Sequence, residues 1–235
     1  MSNDFFQFKE FTIHQRRAAM KVGTDGVLLG TMAEGGKQIL DIGTGTGIIS
    51  LMMAQRYPDA QFTAVEIDDN AYLDAQENFA ASPFSDRITL VKAAFQDYAR
   101  TCGRTFDCIV SNPPYFDESL ENPDEGRTRA RHTSSLPFRE LIGGAYRLLE
   151  DGGCFSVCIP PEVLKKFSAE CLITGFSLKT CYGIKSVPRK PMPKRYVLVY
   201  QKGLITEPEE HIFCMQNADG SRSEWYQELM KDFYL

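Results

Sequence analysis

Residues 40–50 read LDIGTGTGIIS, from Leu40 to Ser50. The apolar run "KQILDIG" leading in is short and strand-like. The run leading out, "GIISLMMAQRY", has helical periodicity, with Ile48, Leu51, Met52 and Tyr57 at its apolar positions. Gly43, Gly45 and Gly47 therefore occupy a strand-to-helix turn, where the lack of side chains lets backbone lie against a ligand. Helix amides at such a turn suit a carboxylate or a phosphate. The spacing is not that of the dinucleotide fingerprint G-x-G-x-x-G, whose last glycine, counted from Gly43, would stand where this chain has Ile48. The run is D-x-G-x-G-x-G instead. Asp41, placed before the loop, would repel a pyrophosphate and suits a ligand with an ammonium group, such as S-adenosylmethionine. Glu66 closes the next apolar run, "QFTAVEID", 19 residues after Gly47. That spacing suits an acid accepting hydrogen bonds from both hydroxyls of a ribose.

Outward from this loop the pattern keeps alternating. "DNAYLDAQENFAAS" reads as a helix with Asp69 able to cap its start, "RITLVKAAF" as a third strand and "FDCIVSN" as a fourth. "LPFRELIGGAYRLLEDGG" reads as a helix with a glycine stop, followed by a fifth strand "CFSVCIP". A helix near "PEVLKKFSAECLITG" precedes strands in "FSLKTCYGIKSV" and "RYVLVYQK", and "RSEWYQELMKDFYL" forms a closing helix. Alternating strands and helices predict an α/β fold: a doubly wound, mostly parallel sheet covered on both faces. The two late strands have no helix between them, which predicts an antiparallel hairpin at one edge. No linker divides the chain, so residues 1–235 are expected to form one domain, with an N-terminal segment 1–36, a core 37–202 and a tail 203–235.

Composition narrows the class. Of the 235 residues, 43 % are apolar and 24 % charged, as in soluble globular chains, and no apolar run approaches the roughly 20 residues that span a bilayer. The N-terminus "MSNDFFQFKEF" lacks a basic region followed by an apolar one, and the seven cysteines are odd in number and scattered. A monomer in the reducing cytoplasm, free of membrane, is the expectation. The three histidines, His14, His132 and His211, are far apart and there is no Cys-x-x-Cys, so no metal site is expected.

The fourth strand runs into Asn112-Pro113-Pro114-Tyr115. This places Asn112 at the carboxyl edge of a parallel sheet, where α/β sites form. The prolines hold the loop extended and stiff. An exocyclic amine on a base is a poor nucleophile because its lone pair is delocalised. The Asn112 side-chain oxygen and the Pro113 carbonyl can accept its two N–H hydrogens and free the lone pair. Alignment and this activation suffice against a sulfonium electrophile. Tyr115 offers a face on which a flipped-out base can stack.

Together these features resemble the class I S-adenosylmethionine-dependent methyltransferases, over roughly residues 20–202. In that family the acid before the glycines and the acid ending strand two contact the cofactor, which implies Asp41 and Glu66 here. An Asp that often binds the cofactor's adenine amino group is replaced by Ala94. Phe95 is left to pack on the adenine and offer its backbone N–H, or Asp97 to take the amino group. The Asn-Pro-Pro-Tyr resembles that of enzymes methylating adenine N6, cytosine N4, guanine N2 or a glutamine amide. Lys21, Thr24 and Asp25, in "MKVGTDGVLLG", resemble a segment closing over the methionine end of the cofactor. With "LDIGTGTGIISLMMAQR", "VSNPPYF" and the ending "SEWYQELMKDFYL", the chain resembles bacterial enzymes that N6-methylate adenosine 37 of a valine tRNA. Glutamine-amide methylation of a protein and a non-catalytic RNA-binding module are the alternatives.

Two segments concentrate positive charge in a chain of net charge −5. "GRTRARH" carries Arg127, Arg129, Arg131 and His132; "IKSVPRKPMPKR" carries Lys185, Arg189, Lys190, Lys194 and Arg195, with no acid in either. Local basic stripes on an acidic protein fit recognition of one RNA without indiscriminate polyanion binding. Phe5, Phe6, Phe8 and Phe11 are expected to pack rather than to stack on bases.

Overall fold

The computed structural model describes residues 4–113, 136–203 and 207–235. In chain order its elements are β1 (Phe5–Gln7), β2 (Thr12–His14), α1 (Thr24–Met32), β3 (Gln38–Ile42), α2 (Ile48–Arg56), β4 (Gln61–Glu66), α3 (Asp69–Ala81), β5 (Ile88–Lys92), α4 (Phe95–Thr101) and β6 (Phe106–Ser111). There follow α5 (Phe138–Leu148), β7 (Leu149–Ile159), α6 (Pro161–Thr174), β8 (Phe176–Lys185), β9 (Arg195–Lys202), β10 (Glu209–Cys214) and α7 (Glu224–Met230).

An eight-stranded sheet runs in the order β10-β8-β9-β7-β6-β3-β4-β5. Only β9 opposes its neighbours, pairing antiparallel with β7 and β8. Strands β3 to β6 pair in parallel, and side chains leave each to both faces. In β3, Ile39 joins one apolar cluster, with α1, α2 and the β1–β2 hairpin; Leu40 and Ile42 join the other, with α4, α5 and α6. Burial on both faces is why these strands read as nearly continuous apolar runs.

The doubly wound fold is as the sequence predicts, and several details differ. The late hairpin lies at the expected end of the sheet, but β10 adds beyond it, parallel to β8. The third strand stops at Lys92, and Phe95 begins α4. Asp68, not Asp69, caps α3, accepting from the Ala71 amide at 2.8 Å. The glycine stop after α5 is not a helix cap, because Leu149 already has extended geometry and begins β7. Gly152 and Gly153 fall instead in a bulge, between the Phe106–Leu149 and Cys108–Cys154 pairs. Phe8 and Phe11 are buried, whereas Phe5 is 46 % exposed. Among the described residues no helix is long and apolar enough to cross a membrane, and no group of His, Cys, Asp or Glu is placed to hold a metal.

Candidate active site

Strands β6, β3 and β4 are adjacent and end together, so Asn112, the glycine loop and Glu66 share one sheet edge. The Ser111 hydroxyl donates to the Ile42 carbonyl at 2.9 Å and ties the end of β6 to β3. A cavity of about 340 Å³ opens there, with Lys21, Thr24, Asp25, Gly43, Gly45 and Asn112 in its wall. Its size falls within the range of small-molecule sites.

The loop's glycines serve two ends. Gly43 and Gly45 have φ of 69° and 60°, and a Cβ added to either meets nothing within 4 Å. Backbone is thus bared to open space, as close approach of a ligand requires. Gly47 (φ 86°) is a packing glycine, since a Cβ would lie 2.4 Å from the Phe79 ring.

Asp41 sits behind this loop, fully buried. One carboxylate oxygen, Oδ2, accepts from the hydroxyls of Thr44 at 2.6 Å and Ser50 at 2.7 Å. The other, Oδ1, finds no hydrogen-bond partner among the described residues. Burial pushes its pKa up to about 6, against the pull of the two hydroxyls. From sequence Asp41 is expected to meet a ligand's ammonium directly; the structure places it outside the described cavity wall. A buried acid with an orphan oxygen beneath bared glycine backbone fits a cationic ligand above it, whose charge would favour the ionised carboxylate.

With its pKa raised from an ordinary value near 3.8 to about 6, Asp41 contributes stability that is fully present below pH 4. That contribution is lost as pH rises through 6. Asp41→Asn cannot titrate. Between pH 4 and 7.5 its unfolding free energy should therefore gain on wild type, by up to about 3 kcal/mol. Denaturant unfolding of both proteins across that range checks it; parallel pH profiles would contradict it.

Glu66 is buried at the end of β4 and its two oxygens are shared among three backbone amides. Oε1 accepts from Ile67 at 2.8 Å and Asp68 at 2.7 Å, and Oε2 from Gly45 at 2.8 Å. The acid therefore clamps the glycine loop to the turn after β4. Phe95 is also buried, its ring against Gly144 of α5, so the ring belongs to the core and only its backbone is left to face a ligand. Ala94 is the extended cap residue before it.

Lys194 and Arg195, read from sequence as part of a basic RNA-facing loop, line the cavity itself. Arg195 Nε donates to Asp25 Oδ2 at 2.7 Å, so β9 and α1 are joined in the cavity wall. Lys185 ends β8 and is half-buried, whereas Arg189 and Lys190 stand exposed on the loop that follows it. Pro113 is buried and Asn112 half-buried. Pro114, Tyr115, Arg127, Arg129, Arg131 and His132 lie outside the described residues.

Two polar residues that the sequence reading passed over hold the N-terminal segment in place. Asp74 accepts from the amides of Arg17 and Ala18 and from the Arg17 guanidinium. Asn78 accepts from the His14 amide at 2.8 Å and donates to the carbonyls of His14 and Thr46, both at 2.9 Å. It thereby joins the segment that carries Lys21 to the glycine loop. Asp74 and Asn78 lie one helical turn apart on the face of α3 that buries Ala71, Ala75 and Phe79. Polar residues on an apolar stripe were the available signal.

Comparison with known proteins supplies the family. A family model described as methyltransferase small domain matches residues 17–163. A relative from Bacteroides thetaiotaomicron, named tRNA1(Val) (adenine(37)-N6)-methyltransferase, is 43 % identical, with 100 % of this chain and 99 % of that protein covered. One of the same name from Aeromonas hydrophila is 39 % identical, covering 99 % and 98 %. Among solved structures, a predicted O-methyltransferase from Agrobacterium tumefaciens superposes with a TM-score of 0.69 at 19 % identity, covering 89 % of this chain and 96 % of that one. At that identity the likeness speaks for the fold. Glycine loop, clamped acid, Asn-Pro-Pro strand end and full-length relatives converge: the chain belongs to the methyltransferase small domain family, in the group whose curated members are named tRNA1(Val) (adenine(37)-N6)-methyltransferases.

Proposed function

We propose that this protein transfers a methyl group from S-adenosylmethionine to the N6 amine of an adenosine in tRNA, position 37 of a valine tRNA. The observation that carries the reading is that Asn112 opens into the same cavity as Gly43 and Gly45. The acceptor-activating group and the bared backbone thus face one space. The tRNA, the base and the position rest on the names of the full-length relatives. The same reading has the enzyme working as one monomeric domain, cytoplasmic and without a metal. The N-terminal hairpin and α7 packing into the apolar cluster of the sheet support one domain.

In this reading Lys21, Thr24 and Asp25 hold the methionine end, Gly43 and Gly45 offer backbone along the ligand, and Glu66, three of whose acceptor positions the backbone amides already fill, takes one ribose hydroxyl. The adenine falls to the Phe95 backbone N–H, with Asp97 nearby in α4. When bound, the cofactor supplies a methyl group on a sulfonium, a strong electrophile. The protein's part is orientation and amine activation. The Asn112 side-chain oxygen and the Pro113 carbonyl accept the two N–H hydrogens, so the amine lone pair is released from the ring and aimed. Tyr115 supplies the stacking face.

Tritium transfer from labelled S-adenosylmethionine tests this: unmodified bulk tRNA should be labelled and protein extract should not. Label in protein alone would favour glutamine-amide methylation, and label in neither would sink the enzymatic reading.

A charge test follows from the loop geometry. Because Lys194 and Arg195 line the cavity, the side chains that meet phosphates are best probed at Lys185, Arg189 and Lys190. Replacing these three with alanine should weaken tRNA binding and reduce the log–log salt slope by about 0.7–0.9 for each phosphate left without its cation. Affinity for S-adenosylmethionine should hold. An unaltered slope and affinity would make this loop a solvated surface and direct attention to Arg127, Arg129 and Arg131.

A further inference from the structure

We propose that Tyr182, His211, Phe213 and Trp225 form a stacking platform for unpaired nucleotides flanking the target base, a proposal that rests on the RNA reading above. β10 pairs with β8 so that His211 stands beside Tyr182, and Phe213, two residues on, shares its face. The rings form a row. Tyr182 and His211 stack at 5.4 Å, His211 and Phe213 at 6.0 Å, and Phe213 lies 4.4 Å from Trp225 with the planes 3° apart. None of the four is fully buried, and the His211 side chain is 42 % exposed. Tyr182 and Trp225 rest against the core cluster, yet as residues all four stay partly open to solvent at the last strand of the sheet, where rings serving only as core would be covered.

The row leads to the active site. Ser223, which caps α7, donates its hydroxyl to the Cys214 carbonyl at 2.6 Å and its amide to the Met215 carbonyl at 3.0 Å. Trp225 is thereby pinned to the residue after β10, and Met215 lines the same cavity as Asn112. Charge gives the row a direction. At its cavity end Cys214 pairs with Lys185, where the acid-free loop of Lys185, Arg189, Lys190 and Lys194 begins. At the far end, about 17 Å along the strand at ~3.3 Å per residue, stand Glu209 and Glu210, with Glu209 Oε2 3.5 Å from His211 Nε2. Phosphates are attracted where the rings meet the cavity and repelled where they leave it. Aromatic faces beside a basic groove are how proteins hold single-stranded nucleic acid with little sequence preference. The occupant that fits is a short run of splayed bases next to the one entering the cavity.

Trp225 is the chain's only tryptophan, so emission under tryptophan-selective excitation reports on this surface alone. The full-length protein is titrated with an unmodified valine tRNA transcript, with filter binding in parallel. Trp225 emission should be quenched along the binding curve. His211→Ala, at an exposed position, should raise the KM for tRNA about tenfold, with kcat and S-adenosylmethionine affinity unchanged. Trp225→Ala should do the same and Trp225→Phe should restore most of the loss. Unlike the loop substitutions, these losses should leave the salt slope as it was. Filter-bound tRNA with unquenched Trp225 and wild-type KM in all variants would overturn the platform and leave the RNA reading standing, the rings then merely covering the sheet edge. No tRNA on the filter would overturn both.

Discussion

Asn112→Ala should lose methyl transfer by about a hundredfold or more, while S-adenosylmethionine still binds within a few-fold of wild type. The side chain sits at the end of β6, in the wall of the cavity and one strand over from the glycine loop. Its oxygen is needed chiefly when the amine begins to pyramidalise. Removing it therefore costs the transition state far more than the ground state. Of the two constants, kcat should fall and the KM for S-adenosylmethionine should hardly change. Turnover near the wild-type value would show that the amine is activated by something else. A KM effect alone would make Asn112 a cofactor-binding residue rather than a catalytic one.

The second large effect is expected at Glu66. Both carboxylate oxygens accept from backbone N–H groups, Oε1 from two and Oε2 from one. Alanine strands three donors that now have partners, and the loop they hold carries Gly45. Calorimetry should show S-adenosylmethionine binding weakened by about 1–3 kcal/mol for the missing charged acceptor. Glutamine should rescue little of this. Its amide nitrogen must replace one of the two oxygens, and at either place it sets N–H against N–H. A Glu66→Gln variant that binds as wild type would mean the clamp does not matter to the cofactor site.

Much of this site was legible because its signals are local. D-x-G-x-G-x-G between an apolar run and a helical period carries its own geometry, and so does a strand ending in Asn-Pro-Pro. Glu66 could be placed by counting from Gly47. What escaped the sequence depends on how side chains pack in three dimensions, often against partners far along the chain. The Asp25–Arg195 pair joins residues 170 apart and moves Arg195 from a presumed RNA loop into the cavity wall. Asp41 reads as a ligand-facing acid, but its depth behind the loop is set by Thr44 and Ser50 folding over it. Phe95 continues the apolar run of β5 in sequence; in the structure its ring turns into the core because Gly144 of α5 leaves room for it. β10 was hidden because "EEHIFC" is a partly exposed strand with little apolar pattern, stabilised by pairing with β8.

The central claim is adenine-N6 methylation of tRNA through Asn112. It is tested most directly by nucleoside mass spectrometry of valine tRNA from cells lacking this protein, and from the same cells given back either wild type or Asn112→Ala. The account predicts N6-methyladenosine absent in the deletion, restored by wild type and missing with Asn112→Ala. N6-methyladenosine undiminished in the deletion, or fully restored by Asn112→Ala, would contradict it.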